Sequence, residues 1–262
     1  MDLLRALDEA WGAAITLLQR LDEPEWDLPT PCEGWSVRDV AAHLGHVEGI
    51  AHGYPQPPAP PDFDPEAYSG FHAFTEEGVA ARRPLPLFLV LGEVVTAAEA
   101  TLTQIGDYSA EEWEQPAPSP VGMVPAHQAA EIRMSDVLVH LFDLRTALGQ
   151  PVDDGSEPIA CRILVDRALR LTGWGAVKGA GLADGTRLRL EIEGRDPRDL
   201  VVSGGRGNLE DPAGDPDGRI AGPGLAYALA VAGRREMSER AGGLAVEGAA
   251  AERLLEGYRL FL

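Results

Sequence analysis

Three side chains in this sequence have the types and the spacing to share one cation. His43 lies in the run Ser36-Val37-Arg38-Asp39-Val40-Ala41-Ala42-His43-Leu44, and Asp136 and His140 lie in Arg133-Met134-Ser135-Asp136-Val137-Leu138-Val139-His140. Residues four apart on a helix share a face, so one carboxylate and one imidazole can reach the same ion. Two imidazoles and a carboxylate suffice for a catalytic metal that keeps a position open for water or substrate. The spacing also fits two plainer arrangements: Asp136 hydrogen-bonded to His140, or Asp136 salt-bridged to Arg133.

Helices must hold these residues in place. Ser36 reads as an N-cap with Asp39 three positions on, a weaker form of the capping box, and the helix it opens runs to about residue 50. His43 sits at the border of its apolar face, made by Val37, Val40, Ala41, Leu44 and Val47. A lone histidine there also fits a satisfied interior residue. His46 is expected to project further towards solvent; His52 and His72 fall in or near loops, and His127 at a helix start. A long helix is expected over 126–148, with Gly149 just past its end. Met134, Val137, Leu138, Leu141 and Leu144 make most of its circumference apolar, so it is central and largely buried. Asp136, Val139, His140 and Asp143 form another strip, and buried carboxylates there need partners.

Two more helices are expected over 2–22, where Leu3, Leu7, Trp11, Ala14 and Leu18 trace one stripe, and over 87–105. The proline-rich stretches 53–65 and 116–125 read as loops. Four principal helices with long connections imply an antiparallel bundle, a fold that builds metal sites from inward side chains on facing helices. Trp26 and Trp35 read as core residues, and Cys32 as a turn or packing residue in preference to a nucleophile.

After a linker at 150–155 the pattern changes. A helix is expected over 163–171, and 187–193 alternates polar and apolar residues as a half-buried strand does. Val201-Val202 reads as a further strand, 204–218 as loop and 225–232 as helix. Residues 244–248 would close the sheet before a terminal helix. The fold class is therefore mainly α with a small α+β second domain, divided as 1–150 and 156–262.

A formal charge of −20, from 42 acidic and 22 basic residues, argues against a nucleic-acid partner, because phosphate contacts need clustered Lys and Arg. It also makes any anionic substrate depend on a few arginines placed locally. The start of the chain lacks a secretory pattern, and no uninterrupted apolar stretch approaches the roughly 20 residues of a membrane span. Two cysteines, Cys32 and Cys161, are too few for a disulfide framework. A cytoplasmic protein with no membrane partner is the expectation.

The run from Trp26 through Pro29-Thr30-Pro31-Cys32-Glu33-Gly34-Trp35-Ser36 to His43-Leu44 closely resembles the N-terminal signature of the mycothiol-dependent maleylpyruvate isomerase family, part of the DinB-like metalloenzyme superfamily. The run from Arg133 to Leu144 resembles its second signature, in which a carboxylate precedes a histidine by four residues and an Asp-Leu pair follows. The resemblance implies a DinB-like four-helix bundle followed by a sterol-carrier-like α/β domain. It implies a divalent metal, usually zinc, held by His43, Asp136 and His140, although the family uses glutamate where this chain has the shorter Asp136. Asp217-Gly218-Arg219-Ile220-Ala221-Gly222-Pro223 and Ala232-Gly233-Arg234 resemble a later pattern, in which an arginine of the second domain faces the metal cleft and contacts an anionic substrate. Arg234 is the first candidate and Arg219 the second; surface salt bridging is the plainer role for either. The implied function is a metal-dependent enzyme with mycothiol, or a related low-molecular-weight thiol, as co-substrate. It would isomerise an electrophilic small molecule or transfer the thiol to it, as a monomer or homodimer. The alternatives are a non-catalytic or regulatory metal-binding protein, which Asp136 favours, and a thiol-independent cyclase or hydrolase reusing the pocket.

Overall fold

The computed structural model describes residues 2–68 and 70–260. The chain divides into two compact units, Met1–Gln150 and Pro151–Leu262.

In the first unit, α1 (Asp2–Leu18), α2 (Val37–Ala51), α3 (Phe71–Arg82), α4 (Leu87–Gly106) and α5 (Ala126–Ala147) follow one another. The expected bundle is formed by α1, α2, α4 and α5: α2 packs on α4 and α5, and α1 packs on α5 and α4. Trp11, Leu44, Val94, Leu138 and Leu141 are fully buried between them. The start of α2 is fixed by a complete capping box: the Ser36 side chain accepts from the Asp39 N–H and the Asp39 carboxylate accepts from the Ser36 N–H. By length and composition α4 could cross a membrane. Here its Val90, Val94, Ala97 and Ala98 are buried and its Glu93 pairs with Arg82.

Two expectations in this unit need correction. The helix α3 has no clean apolar stripe and carries a glycine at position 78, so periodicity does not announce it; it packs on α2 through that glycine. Residues 116–125 are not a loop but a hairpin, β1 (Pro116–Ser119) paired antiparallel with β2 (Gly122–Pro125). Pro116, Pro118 and Pro125 donate no backbone hydrogen bond, which keeps this ladder short and hides it from a reading by composition.

In the second unit, α6 (Pro158–Trp174) precedes a sheet of β3 (Arg187–Ile192), β4 (Arg198–Ser203), β5 (Arg206–Glu210), β6 (Gly218–Gly222) and β7 (Ala245–Glu247). The strand order is β5-β4-β3-β6-β7, with β3 and β6 parallel and the other pairs antiparallel. Leu188, Leu190 and Ile192 alternate inward along β3. The stretch 204–218 is not all loop. Gly204 and Gly205, both at positive φ, form a two-residue hairpin turn into β5, whose Arg-Gly-Asn-Leu-Glu sequence has no apolar alternation to reveal it. Three helices complete the unit: α7 (Gly224–Val231), α8 (Arg235–Arg240) and α9 (Ala249–Gly257).

Candidate metal centre

The bundle brings His43 on α2 against Asp136 and His140 on α5. His43 Nε2 lies 3.4 Å from Asp136 Oδ2, and His140 Nε2 lies 3.6 Å from Asp136 Oδ1. The two imidazole rings are 4.8 Å apart and meet edge to face. One ligand atom from each of the three residues falls within 4.8 Å of the others. Both histidines are buried, whereas Asp136 keeps 19% of its side chain exposed and is the member of the set open to solvent. The salt bridge to Arg133 is also present, with Nη1 3.1 Å from Asp136 Oδ2, so that plainer arrangement coexists with the triad.

Burial sets the state of each group. Desolvation pushes His43 down to about 4, against the pull of Asp136, so its ring is neutral at neutral pH. Among the described residues neither ring nitrogen of His43 has a hydrogen-bond partner, which costs about 1–3 kcal/mol for each buried polar atom left so. For His140 burial also favours the neutral form, but the Asp143 hydrogen bond, the Cys32 contact and the charge of Asp136 outweigh it and raise the group to about 10. Burial alone would raise Asp136. The His43 contact and the charges of His140 and Arg133 instead hold its carboxyl well below the usual range. Two nitrogens and a carboxylate oxygen match the donor set of a divalent metal such as zinc. An imidazole nitrogen that stands 3.4 Å from the carboxylate without completing a hydrogen bond is the feature that such an ion would satisfy.

Around the triad lie residues to which spacing assigned no part. Asp143, fully buried, sits with Oδ2 3.0 Å from His140 Nδ1 and accepts the Cys32 thiol at 3.1 Å. A carboxylate on the far nitrogen fixes the ring plane of a ligating histidine and increases its basicity. Its i+3 position after His140 was the available signal. Cys32 is therefore more than a turn residue: its Sγ lies 3.8 Å from His140 Nδ1. Trp35 stands over both rings, 5.1 Å from His43 and 6.1 Å from His140, and its indole N–H donates to Glu76 on α3 at 2.7 Å. Trp26 is buried as expected.

His46 does not reach solvent. It is buried because α3 covers it, with Phe74 against its ring and its Nδ1 3.0 Å from Gln56 Oε1. His52 is half-buried and contacts Thr101, whereas His72 is exposed. In the second unit Arg219 on β6 is held by Glu191 and Glu247, the plainer of its two expected roles. Arg234 is half-buried between α7 and α8.

Fold and site thus define a helical bundle carrying a candidate metal-ligand triad. Residues 7–145, more than half of the chain, match the family described as the mycothiol maleylpyruvate isomerase N-terminal domain, and the chain belongs to that family. Over 173 residues it is 28% identical to uncharacterised proteins from two strains of Mycobacterium tuberculosis, a match that covers 64% of this chain and 80% of theirs. The fold is also similar to two crystal structures of a mycothiol-dependent maleylpyruvate isomerase. The TM-scores are 0.60 for a histidine-to-alanine mutant of that enzyme and 0.59 for the second structure. Each is 18% identical and is matched over 93% of this chain and 91% of its own, a likeness of fold alone.

Proposed function

We propose that this protein is a thiol-dependent metalloenzyme of the maleylpyruvate isomerase family. His43, Asp136 and His140 would hold a divalent metal, zinc first among the candidates, and mycothiol or a related low-molecular-weight thiol would be the co-substrate. One observation carries this reading: a buried imidazole on α2, whose ring nitrogens have no hydrogen-bond partner among the described residues, faces a carboxylate and a second imidazole on α5. Family membership supports it independently.

A bound divalent cation would supply positive charge that lowers a thiol's pKa and yields thiolate near neutral pH. The chain's own residues prepare the place. A neutral His43 would offer the lone pair of one ring nitrogen, Asp143 fixes the plane of His140, and Trp35 stands over both rings. A thiolate adding to an electrophilic double bond leaves a single bond free to turn. Expelling the same thiolate then completes an isomerisation with no net consumption of thiol, whereas protonating the adduct completes a transfer. Arg234 is the candidate for pairing with a substrate carboxylate, since such contacts are charge-assisted and can be bidentate. Arg219, which Glu191 and Glu247 engage, is the second candidate.

The test is to incubate the zinc-loaded full-length protein with mycothiol and a cis-unsaturated dicarboxylic electrophile, following products by mass spectrometry. Thiol-dependent isomerisation or adduct formation is expected, with Arg234→Ala raising the apparent KM. Metal binding without any thiol-dependent product would instead support a non-catalytic metal-binding protein, the reading that Asp136 in place of glutamate favours.

A further inference from the structure

Beside Asp136 lies a part-buried chain of polar contacts that the proposed chemistry does not use. Arg133, one turn before Asp136 on α5, places Nη1 3.1 Å from Asp136 Oδ2. Its Nε and Nη2 both lie on Glu48 Oε2 of α2, at 2.8 and 2.7 Å. Glu48 is 2% exposed, and its Oε1 accepts the hydroxyl of Thr101 on α4. The Thr101 oxygen in turn lies 2.6 Å from His52 Nε2. A hydroxyl has one hydrogen, so with Thr101 donating to Glu48, His52 is the donor to Thr101. Side chains from α2, α4 and α5 are thus linked in a line that ends on the carboxylate of the triad.

The geometry of Asp136 shows what this line can do. Its two oxygens face different partners, Oδ2 towards His43 and Oδ1 towards His140, so a turn of the carboxylate plane would break both relationships. A short aspartate cannot recover them by bending further along its side chain. Arg133 on Oδ2 opposes that turn, and Glu48 fixes the guanidinium that does so. Stability alone gives little reason to keep such a pair, because well-packed apolar residues often replace a buried ion pair at no cost.

We propose that Glu48 and Arg133 are positioning residues that set the orientation of the Asp136 carboxylate, so that Glu48, which among the described residues has no hydrogen bond or ion pair to the triad, tunes metal affinity. This rests on the metal reading of the preceding section. The two are separated by cobalt(II) titration of the full-length chain, with affinity and the visible d–d bands as readouts. The variant Glu48→Gln combined with Arg133→Met leaves net charge unchanged and removes the cation nearest the site, so weaker cobalt binding would not be a loss of electrostatic attraction. It is expected to bind cobalt at least about tenfold more weakly, with altered bands, as for loss of an outer partner of a metal ligand. Arg133→Lys retains the charge but not the planar fork, and is expected to fall between the two. A folded double variant, checked by thermal melting, with wild-type affinity and bands would overturn the inference and leave the metal reading intact. Should the double variant not fold, unchanged affinity and bands in Arg133→Lys would overturn it equally. Failure of the wild-type chain to bind cobalt at all would remove the metal reading and this inference together.

Discussion

Gly78→Ala tests how α3 braces the helix that carries His43. His46 lies three residues beyond His43 on α2, and its ring occupies the space where a side chain at position 78 would begin. A Cβ built on Gly78 falls 2.1 Å from His46 Cδ2 and 2.2 Å from Cγ. Carbon atoms settle at about 3.5–4.0 Å, so the ring or the helix must shift by more than about 1 Å. The ring is not free to do so. Its Nδ1 lies 3.0 Å from Gln56 Oε1 and 3.3 Å from Arg82 Nη1, its face meets Phe74 at 4.6 Å, and Arg82 is itself held by Glu93. Alanine favours a helix over glycine by about 1 kcal/mol. Against this stand about 1–3 kcal/mol for overpacking and about 1 kcal/mol for a disturbed hydrogen bond. The clash wins, leaving a net destabilisation of about 1–3 kcal/mol and a Tm lower by about 3–9 °C for a unit of this size. Thermal and urea denaturation give the number, and a double-mutant cycle with His46→Ala gives its cause. In that background the obstruction is gone, and Gly78→Ala should be neutral or stabilising by up to about 1 kcal/mol. Stabilisation by Gly78→Ala with His46 intact would refute the packing of α3 on α2 described above.

Two predictions concern buried charge. Hydrogen bonding from Arg189 lowers the fully buried Asp199 to about 2 in spite of its desolvation, with the Ala213 N–H and Arg187 adding to the effect. Its stabilising contribution is complete above the ordinary carboxylate range and is lost as pH falls through about 2. Asp199→Asn should therefore cost about 1–2 kcal/mol at neutral pH, given partly exposed arginines, and should flatten the acid limb of the stability curve; an unaltered limb in urea melts would contradict this. In the metal-free protein, His140 should stay protonated through pH 8 by imidazole NMR, and Asp143→Asn should lower its midpoint. Because the folded value lies above the ordinary 6.5, the stability this group contributes is complete below 6.5 and is lost as pH rises through about 10. A wild-type midpoint near 6.5 would show that the Asp143 hydrogen bond is not what the structure describes.

Sequence periodicity revealed what repeats and missed what does not. The stripe from Leu3 to Leu18, the capping pair Ser36 and Asp39, and the apolar circumference around Leu138 announce α1, α2 and α5, and with them the approach of His43 to Asp136 and His140. The strand β3 announces itself by Leu188, Leu190 and Ile192. In contrast, α3 depends on a glycine fitted against an imidazole and β5 on a Gly-Gly turn, and neither is a periodic signal. The same limit explains His46, whose ring is covered by α3 and by Gln56 of the preceding loop. Cys32 and Trp35 reach His140 across 108 and 105 positions in the chain, and Glu48 reaches Arg133, the neighbour of Asp136, across 85. Spacing along one helix carries no trace of such contacts. Asp143 was nearer to hand, sharing with His140 a strip that demanded partners for its carboxylates.

The proposed sharing of one divalent cation by α2 and α5 is open to a direct check of metal content. Purified full-length protein, loaded with zinc and freed of loosely bound ions, should retain one equivalent per chain by elemental analysis. His43→Ala, which removes the only ligand contributed by α2, should retain far less while its thermal melt still shows a folded protein. A folded His43→Ala variant that keeps its zinc as tightly as the wild type would show that His43 is not a ligand.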